Sequence, residues 1–178
     1  MSSKKSRVRL LLLLALMNLA GSLRAGMPLE SAGVRFGFPA NDNLAFRQVE
    51  AFMDFRLPYR FELSTNWFVR TRFDCSAGWL GKNGTDAFIG TAGPVVVLSR
   101  KNFPVSFDLG FNPTILSRYQ FAATSFGMTL QFTSHAGIDW DVSPHVRLGY
   151  RFQHMSNGGL VEPNPGLNLH MFTVSYRF

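Results

Sequence analysis

The chain has 178 residues, with 18 Lys and Arg against 11 Asp and Glu and a formal charge of +7, a length that fits one domain. Five of the basic residues and no acid fall within residues 1–25, so the remainder carries only +2, too little to read as a nucleic-acid surface. The single cysteine, Cys75, excludes an intrachain disulfide and any multi-cysteine zinc site.

Residues 1–25 read as a secretory signal peptide. Lys4, Lys5, Arg7 and Arg9 form a positive start, and Leu10 to Leu19 form an apolar stretch opening with five leucines. Small residues follow, and cleavage is expected after Ser22 or Ala25. The apolar stretch is shorter than the ~20 residues a spanning helix needs. The domain to be folded is then residues 26–178.

Beyond residue 30 the pattern has period two, the signature of strands. Eight strands are predicted, at 32–38, 45–57, 61–76, 86–98, 104–111, 126–140, 145–156 and 169–178. In the second, Val49, Ala51, Met53, Phe55 and Leu57 share one face and Glu50, Asp54 and Arg56 the other. In the third, Leu63 to Phe73 alternate with a face holding Arg70, Arg72 and Asp74. The fourth contains Gly93-Pro94, where a lost ladder bond predicts a bulge or an edge-like distortion. The fifth sets Val105, Phe107, Leu109 and Phe111 against Ser106, Asp108 and Gly110, and the sixth sets Met128, Leu130 and Phe132 against Thr129, Gln131 and Thr133. The seventh sets Val146, Leu148, Tyr150 and Phe152 against Arg147, Gly149, Arg151 and Gln153. The eighth sets Phe172, Val174, Tyr176 and Phe178 against Thr173, Ser175 and Arg177.

A soluble sandwich would turn the apolar faces inward, and a membrane barrel would turn them outward. Three features favour an all-β, eight-stranded antiparallel transmembrane barrel. The polar faces carry both signs of charge, which suits a closed, ion-paired lumen. The apolar faces are rich in aromatics, with 18 phenylalanines, and Trp67, Trp140, Tyr150 and Tyr176 are candidates for interface girdles. Connections alternate in length: Pro58–Arg60, Ser99–Phe103 and Asp141–Pro144 are short, and Gly78–Thr85, Asn112–Ser125 and Asn157–Asn168 longer, with Pro39–Leu44 intermediate. Eight strands leave an interior that side chains fill, so a pore is a poor reading.

Familiar nucleotide and metalloprotease motifs are absent, and no metal or cofactor is expected. His135 and His145 are isolated and read as structural, and Cys75 as an apolar strand residue. One segment differs, His154-Met155-Ser156-Asn157-Gly158-Gly159, continuing to Asn164-Pro165-Gly166-Leu167-Asn168. His154 and Ser156 share the parity of Val146 to Phe152, the lipid-facing set. A polar pair there is costly unless it lies near the interface or has work to do. Strand seven should rise from the periplasm, which sets both residues at the outer leaflet, where lipopolysaccharide resides. A serine beside a histidine is a nucleophile beside a general base, and glycines let backbone N–H groups approach an oxyanion. Ester hydrolysis through an acyl-serine is the implied reaction.

The run His-Met-Ser-Asn-Gly-Gly, then Asn-Pro-Gly, then an alternating strand ending in Phe, resembles the PagL-type lipid A 3-O-deacylases, the outer-membrane acyloxyacyl hydrolase family. The motif match covers residues 154–178, and the barrel layout extends it loosely to the whole chain. The resemblance implies an outer-membrane enzyme of a Gram-negative bacterium that hydrolyses the 3-O-linked acyl ester of lipid A. It makes Ser156 the nucleophile and His154 the base, and sets Asn157, Gly158, Gly159 and Asn164 at the oxyanion hole and its support. The family's histidine-orienting glutamate, fourteen residues after the histidine, is here Asn168. An asparagine can hold an imidazole tautomer but lacks the charge that stabilises imidazolium. Glu162 and His170 are other candidates for that role. A weak or inactive barrel of the same family, structural or interacting, is the alternative. Lipid A or lipopolysaccharide is the expected partner. The terminal Phe178, with Tyr176, Val174 and Phe172, resembles the signal read by the barrel assembly machinery. A homodimer is left open.

Overall fold

The computed structural model describes residues 27–40 and 45–178. The expected signal peptide and its cleavage site lie outside the described residues, as does most of the first connection. The strands are β1 (Leu29–Pro39), β2 (Phe46–Glu62), β3 (Trp67–Lys82), β4 (Thr85–Arg100), β5 (Val105–Leu116), β6 (Gln120–Phe121), β7 (Thr124–Ser125), β8 (Leu130–Asp141), β9 (Val146–Ser156) and β10 (Leu167–Arg177). The eight long strands form a closed barrel in which each pairs with its neighbour in sequence and β10 closes on β1; β6 and β7 are a small hairpin within the β5–β8 connection. All pairings are antiparallel, and the closing seam runs from Ser31↔Arg177 to Pro39↔Leu169. The start of β1, the C-terminus and the short turns at 63–66, 101–104 and 142–145 lie at one end, here the terminal end. The other connections lie at the opposite, loop end. No helix among the described residues is long and apolar enough to cross a membrane, which says nothing of a barrel.

The alternation sorts as expected: Val34, Phe36 and Phe38 face out, as do Phe107, Leu109 and Phe111, while Arg35, Asp108 and Asn112 are buried inside. A surface this apolar around a charged interior inverts a water-soluble barrel. Cys75 faces outward, half-exposed, with Sγ 3.7 Å from the Met53 carbonyl. Trp67, Trp140 and Tyr176 stand near the terminal end, as girdle residues would. Tyr150 does not: it sits midway along β9, and its hydroxyl lies 2.8 Å from His170 Nδ1.

Several predicted connections move. Residues 58–60 form no turn, because β2 continues to Glu62. A register shift between Arg56 and Arg60 absorbs Pro58, since a bulge leaves a residue that needs no ladder bond. The loop expected at Gly78–Thr85 shrinks to Asn83-Gly84, with φ of 49° and 77°. This is the two-residue turn that Asn-Gly favours, because both positions need positive φ. At Gly93-Pro94 there is no bulge. Register is the same at Thr91↔Thr114 and Val95↔Gly110, and the ladder simply lapses between them, where Pro94 faces the segment holding Pro113. β5 runs past Asn112 to Leu116, and β10 already includes Asn168.

The lumen has two layers, only one of which was expected. Toward the terminal end it is ion-paired: Arg72 meets Asp54 at 3.3 Å, Asp108 at 2.9 Å and Asp139 at 3.0 Å. Arg35 bridges Glu50 and Asp74, and Arg151 reaches Glu50 at 3.1 Å. His135 is buried in this layer with Nε2 3.3 Å from Asp108, while His145 stacks on Tyr176 at the turn. Toward the loop end the lumen is apolar. Phe46, Leu80, Ile89 and Leu116 meet Phe121 and Phe126 of the β6–β7 segment, with Met155, Leu167, Leu169 and Met171 beneath. Folding the β5–β8 connection inward buries this cluster and plugs the barrel. Phe126 is fully buried between Phe46 and Phe121, with ring centroids at 5.6 and 5.9 Å. Phe126→Ala is expected to lower stability by about 3–5 kcal/mol, read as an earlier urea midpoint for the refolded barrel.

Candidate active site

β9 alternates cleanly to its end. Arg151, Gln153 and Met155 point into the lumen, and Tyr150, Phe152, His154 and Ser156 point out. His154 and Ser156 are half-buried on the outer wall at the loop end. Across the ladder, His154 is directly opposite Asn168 of β10, and Ser156 is opposite Phe132 of β8. Phe132 stacks on Phe111 with centroids 5.7 Å apart, giving Ser156 an apolar flank.

His154 Nδ1 lies 2.7 Å from Asn168 Oδ1. A carboxamide oxygen only accepts, so Nδ1 carries the proton and Nε2 keeps its lone pair. The pairing therefore selects the tautomer a general base requires. Among the described residues Ser156 Oγ has no hydrogen-bond partner. The other two candidates for the orienting role do not reach: His170 Nδ1 is engaged by Tyr150, and Glu162 is exposed in the loop and makes no bond to His154.

The loop from 157 to 166 is set by Asn157, whose side chain is fully buried. Its Nδ2 donates to Phe126 O at 3.0 Å and Val161 O at 2.6 Å, and its Oδ1 accepts from Gly159 N at 2.9 Å. Its own N–H donates to Asn164 Oδ1 at 3.1 Å. Asn157 is thus a clip joining the β5–β8 plug to the β9–β10 loop, and its amide is turned away from Ser156. The Gly159 N–H is occupied by the same clip. Gly158 is exposed immediately after, and Asn164, held through its oxygen, keeps its NH₂ group as a donor. Asn157→Leu would strand one backbone donor and two carbonyls, at about 1–3 kcal/mol. A lower melting temperature and a disordered loop are expected, the latter read by faster protease cleavage between 157 and 166.

Gly166 is a contributor the sequence did not single out beyond its place in Asn-Pro-Gly. Its φ is +67°, and a Cβ there would sit 2.9 Å from His154 Cε1. The bare α-carbon lets the imidazole edge lie against the loop. Gly166→Ala is expected to push the ring off its line to Asn168 and cut any histidine-dependent rate by about 10²-fold, the cost of a displacement near 1 Å. Comparing turnover with the melting curve separates this from unfolding. No group of three His, Cys, Asp or Glu that could hold a metal occurs among the described residues.

Residues 48–177 match the family model described as Lipid A 3-O-deacylase (PagL). Lipid A deacylase PagL of Bordetella bronchiseptica is 38% identical over 71 residues, 40% of this chain and 40% of that protein, so the match spans under half of that relative's length. The crystal structure of the outer membrane enzyme PagL superposes with a TM-score of 0.72 at 15% identity, covering 83% of this chain and 99% of the other. A de novo designed transmembrane β-barrel matches with a TM-score of 0.55 at 13% identity, over 86% and 98% of the two chains. These two likenesses speak to the fold alone.

Proposed function

The chain belongs to the PagL family of lipid A 3-O-deacylases in the Gram-negative outer membrane, and on that premise we propose that Ser156 and His154 hydrolyse the 3-O-linked acyl ester of lipid A at the outer-leaflet rim. The carrying observation is the 2.7 Å contact of His154 Nδ1 with Asn168 Oδ1 on the outward face, two residues from Ser156. The start of β1, the end of β10 and three four-residue turns share one end, the arrangement of a periplasmic end. Residues 1–25 are the signal peptide in this reading. Ser156 then lies at the level of the acyl chains and sugars of the outer leaflet, reached from within the membrane plane.

In the proposed mechanism His154 Nε2 takes the Ser156 hydroxyl proton as Oγ bonds to the ester carbonyl carbon. The carbonyl π pair moves to oxygen, and the Gly158 N–H and the Asn164 NH₂ group are the donors proposed for that oxyanion. Collapse breaks the bond to the sugar oxygen, which receives the proton from His154. A water then repeats the sequence on the acyl-serine, releasing a fatty acid and restoring both side chains. Asn168 holds the imidazole throughout but adds no charge against the transient imidazolium, so turnover is slower than with a carboxylate. The terminal Phe178, 66% exposed beside Tyr176, is the proposed contact for the barrel assembly machinery.

Refolded protein given lipopolysaccharide is expected to release free fatty acid and leave lipid A lighter by one ester-linked chain. A second reading, a barrel of this family without turnover, is favoured by the neutral partner of His154. No release at any enzyme concentration, with the fold intact, would select it.

A further inference from the structure

The terminal end of the lumen is not filled. A cavity of about 400 Å³ opens there, below the ion-paired layer and far along the barrel from Ser156. Six arginines line it, against two carboxylates, Glu30 and Asp141. Glu30 is shared by Arg70 at 2.6 Å, Arg147 at 3.5 Å and Arg56 at 3.8 Å. Asp141 is shared by Arg147 at 2.7 Å and Arg177 at 2.9 Å. Arg60 is met by Glu62 on the rim at 2.9 Å, which still leaves guanidinium donors in excess. Arg147 is 3% exposed, and among the described residues its Nη1 has only the long ion pairs to Glu30 at 3.5 Å and Asp139 at 3.8 Å, while Arg177 Nε makes no hydrogen bond. Burying guanidinium donors without acceptors is costly, and a wall with more of them than carboxylates is complementary to an anion.

The next layer reverses sign. Glu50, Asp54, Asp74, Asp108 and Asp139 there outnumber Arg35, Arg72 and Arg151, with Arg147 3.8 Å from Asp139 and His135 3.3 Å from Asp108 at the edges. An anion entering the mouth is attracted at the rim and repelled deeper, and the apolar plug closes the far end. The field suits holding an anion, not conducting it.

We propose that this cavity is a binding site for a small phosphate-bearing oligoanion, held by Arg56, Arg70, Arg147 and Arg177. The phosphate is either free or carried by a phospholipid headgroup reaching in from the adjacent leaflet. The proposal does not depend on the Ser156 chemistry, and takes from it only the assignment of this end to the periplasm.

The probe is inorganic pyrophosphate, titrated calorimetrically into the refolded mature chain in uncharged detergent micelles. Saturable one-to-one binding that weakens as salt is raised is expected. Arg56→Gln with Arg177→Gln, the partly exposed partners at the edges of the Glu30 and Asp141 clusters, is expected to weaken it by about tenfold or more, the worth of a charge-assisted bond. Arg47→Gln, on the outer wall at the loop end, is expected to leave it unchanged. Micelles doped with phosphatidylglycerol separate the sources: competition assigns a headgroup, and undiminished binding assigns a free anion. No saturable binding, binding indifferent to the double variant in a folded barrel, or equal loss with Arg47→Gln would each overturn the site.

Discussion

Asn168→Asp is expected to raise the deacylation rate by roughly 10²–10⁴-fold, the reverse of what an Asp-to-Asn change costs a catalytic triad. The geometry makes aspartate the cleaner replacement. Asn168 Oδ1 already sits 2.7 Å from His154 Nδ1, and aspartate has the same length and shape. One oxygen keeps the bond, and the added charge stabilises the imidazolium formed as Ser156 loses its proton. Asn168→Glu supplies the same charge but must fold one more methylene into the space between β9 and β10, so a smaller gain is expected. Both are read as initial rates of fatty-acid release from lipopolysaccharide. If neither variant exceeds the wild type, the imidazole is not the base and the mechanism fails at its first step.

Ser156→Ala is expected to reduce the same rate by about 10⁴-fold or more, the scale seen when a serine hydrolase loses its nucleophile. The fold should not register the change. Ser156 is half-buried and its Oγ has no partner among the described residues, so no buried group is orphaned. An unshifted melting curve beside abolished turnover is therefore the expected signature. Combining Ser156→Ala with Asn168→Asp should recover nothing, because residues acting as one unit are not additive. Rescue in the double variant would assign the chemistry elsewhere.

How far the sequence could be read follows from what alternation encodes. Parity alone assigned His154 and Ser156 to the outer wall, because a side chain's face depends only on counting by two. The same counting gave Asn168 the right face, but its place opposite His154 depends on register. Register follows from the β9–β10 loop, which Asn157 shapes through bonds to Asn164 within the loop and to Phe126, distant in sequence. The amide of Asn157 illustrates the limit. Next to Ser156 in sequence, it suggests an oxyanion donor, yet inward parity commits it to the plug. The plug itself was hidden because Met155, Leu167, Leu169 and Met171 are apolar on the lumen face, opposite the outward polar His154, Ser156, Asn168 and His170, so the end of β9 and the start of β10 reverse the polarity of the rest of each strand. Asn83-Gly84 is a legible two-residue turn signal, and its positive φ values bear that out over a longer loop. Pro58 fits a turn or a strand bulge equally well by composition, and only the register shift between Arg56 and Arg60 tells them apart.

Lipid A recovered from cells expressing the full precursor, compared with cells expressing Ser156→Ala at equal outer-membrane abundance, tests the reading where the enzyme would work. Mass spectra should show a species lacking one ester-linked acyl chain only with the wild-type serine. Identical spectra from the two strains, or chain loss that persists with alanine at 156, would contradict a Ser156–His154 esterase facing the outer leaflet.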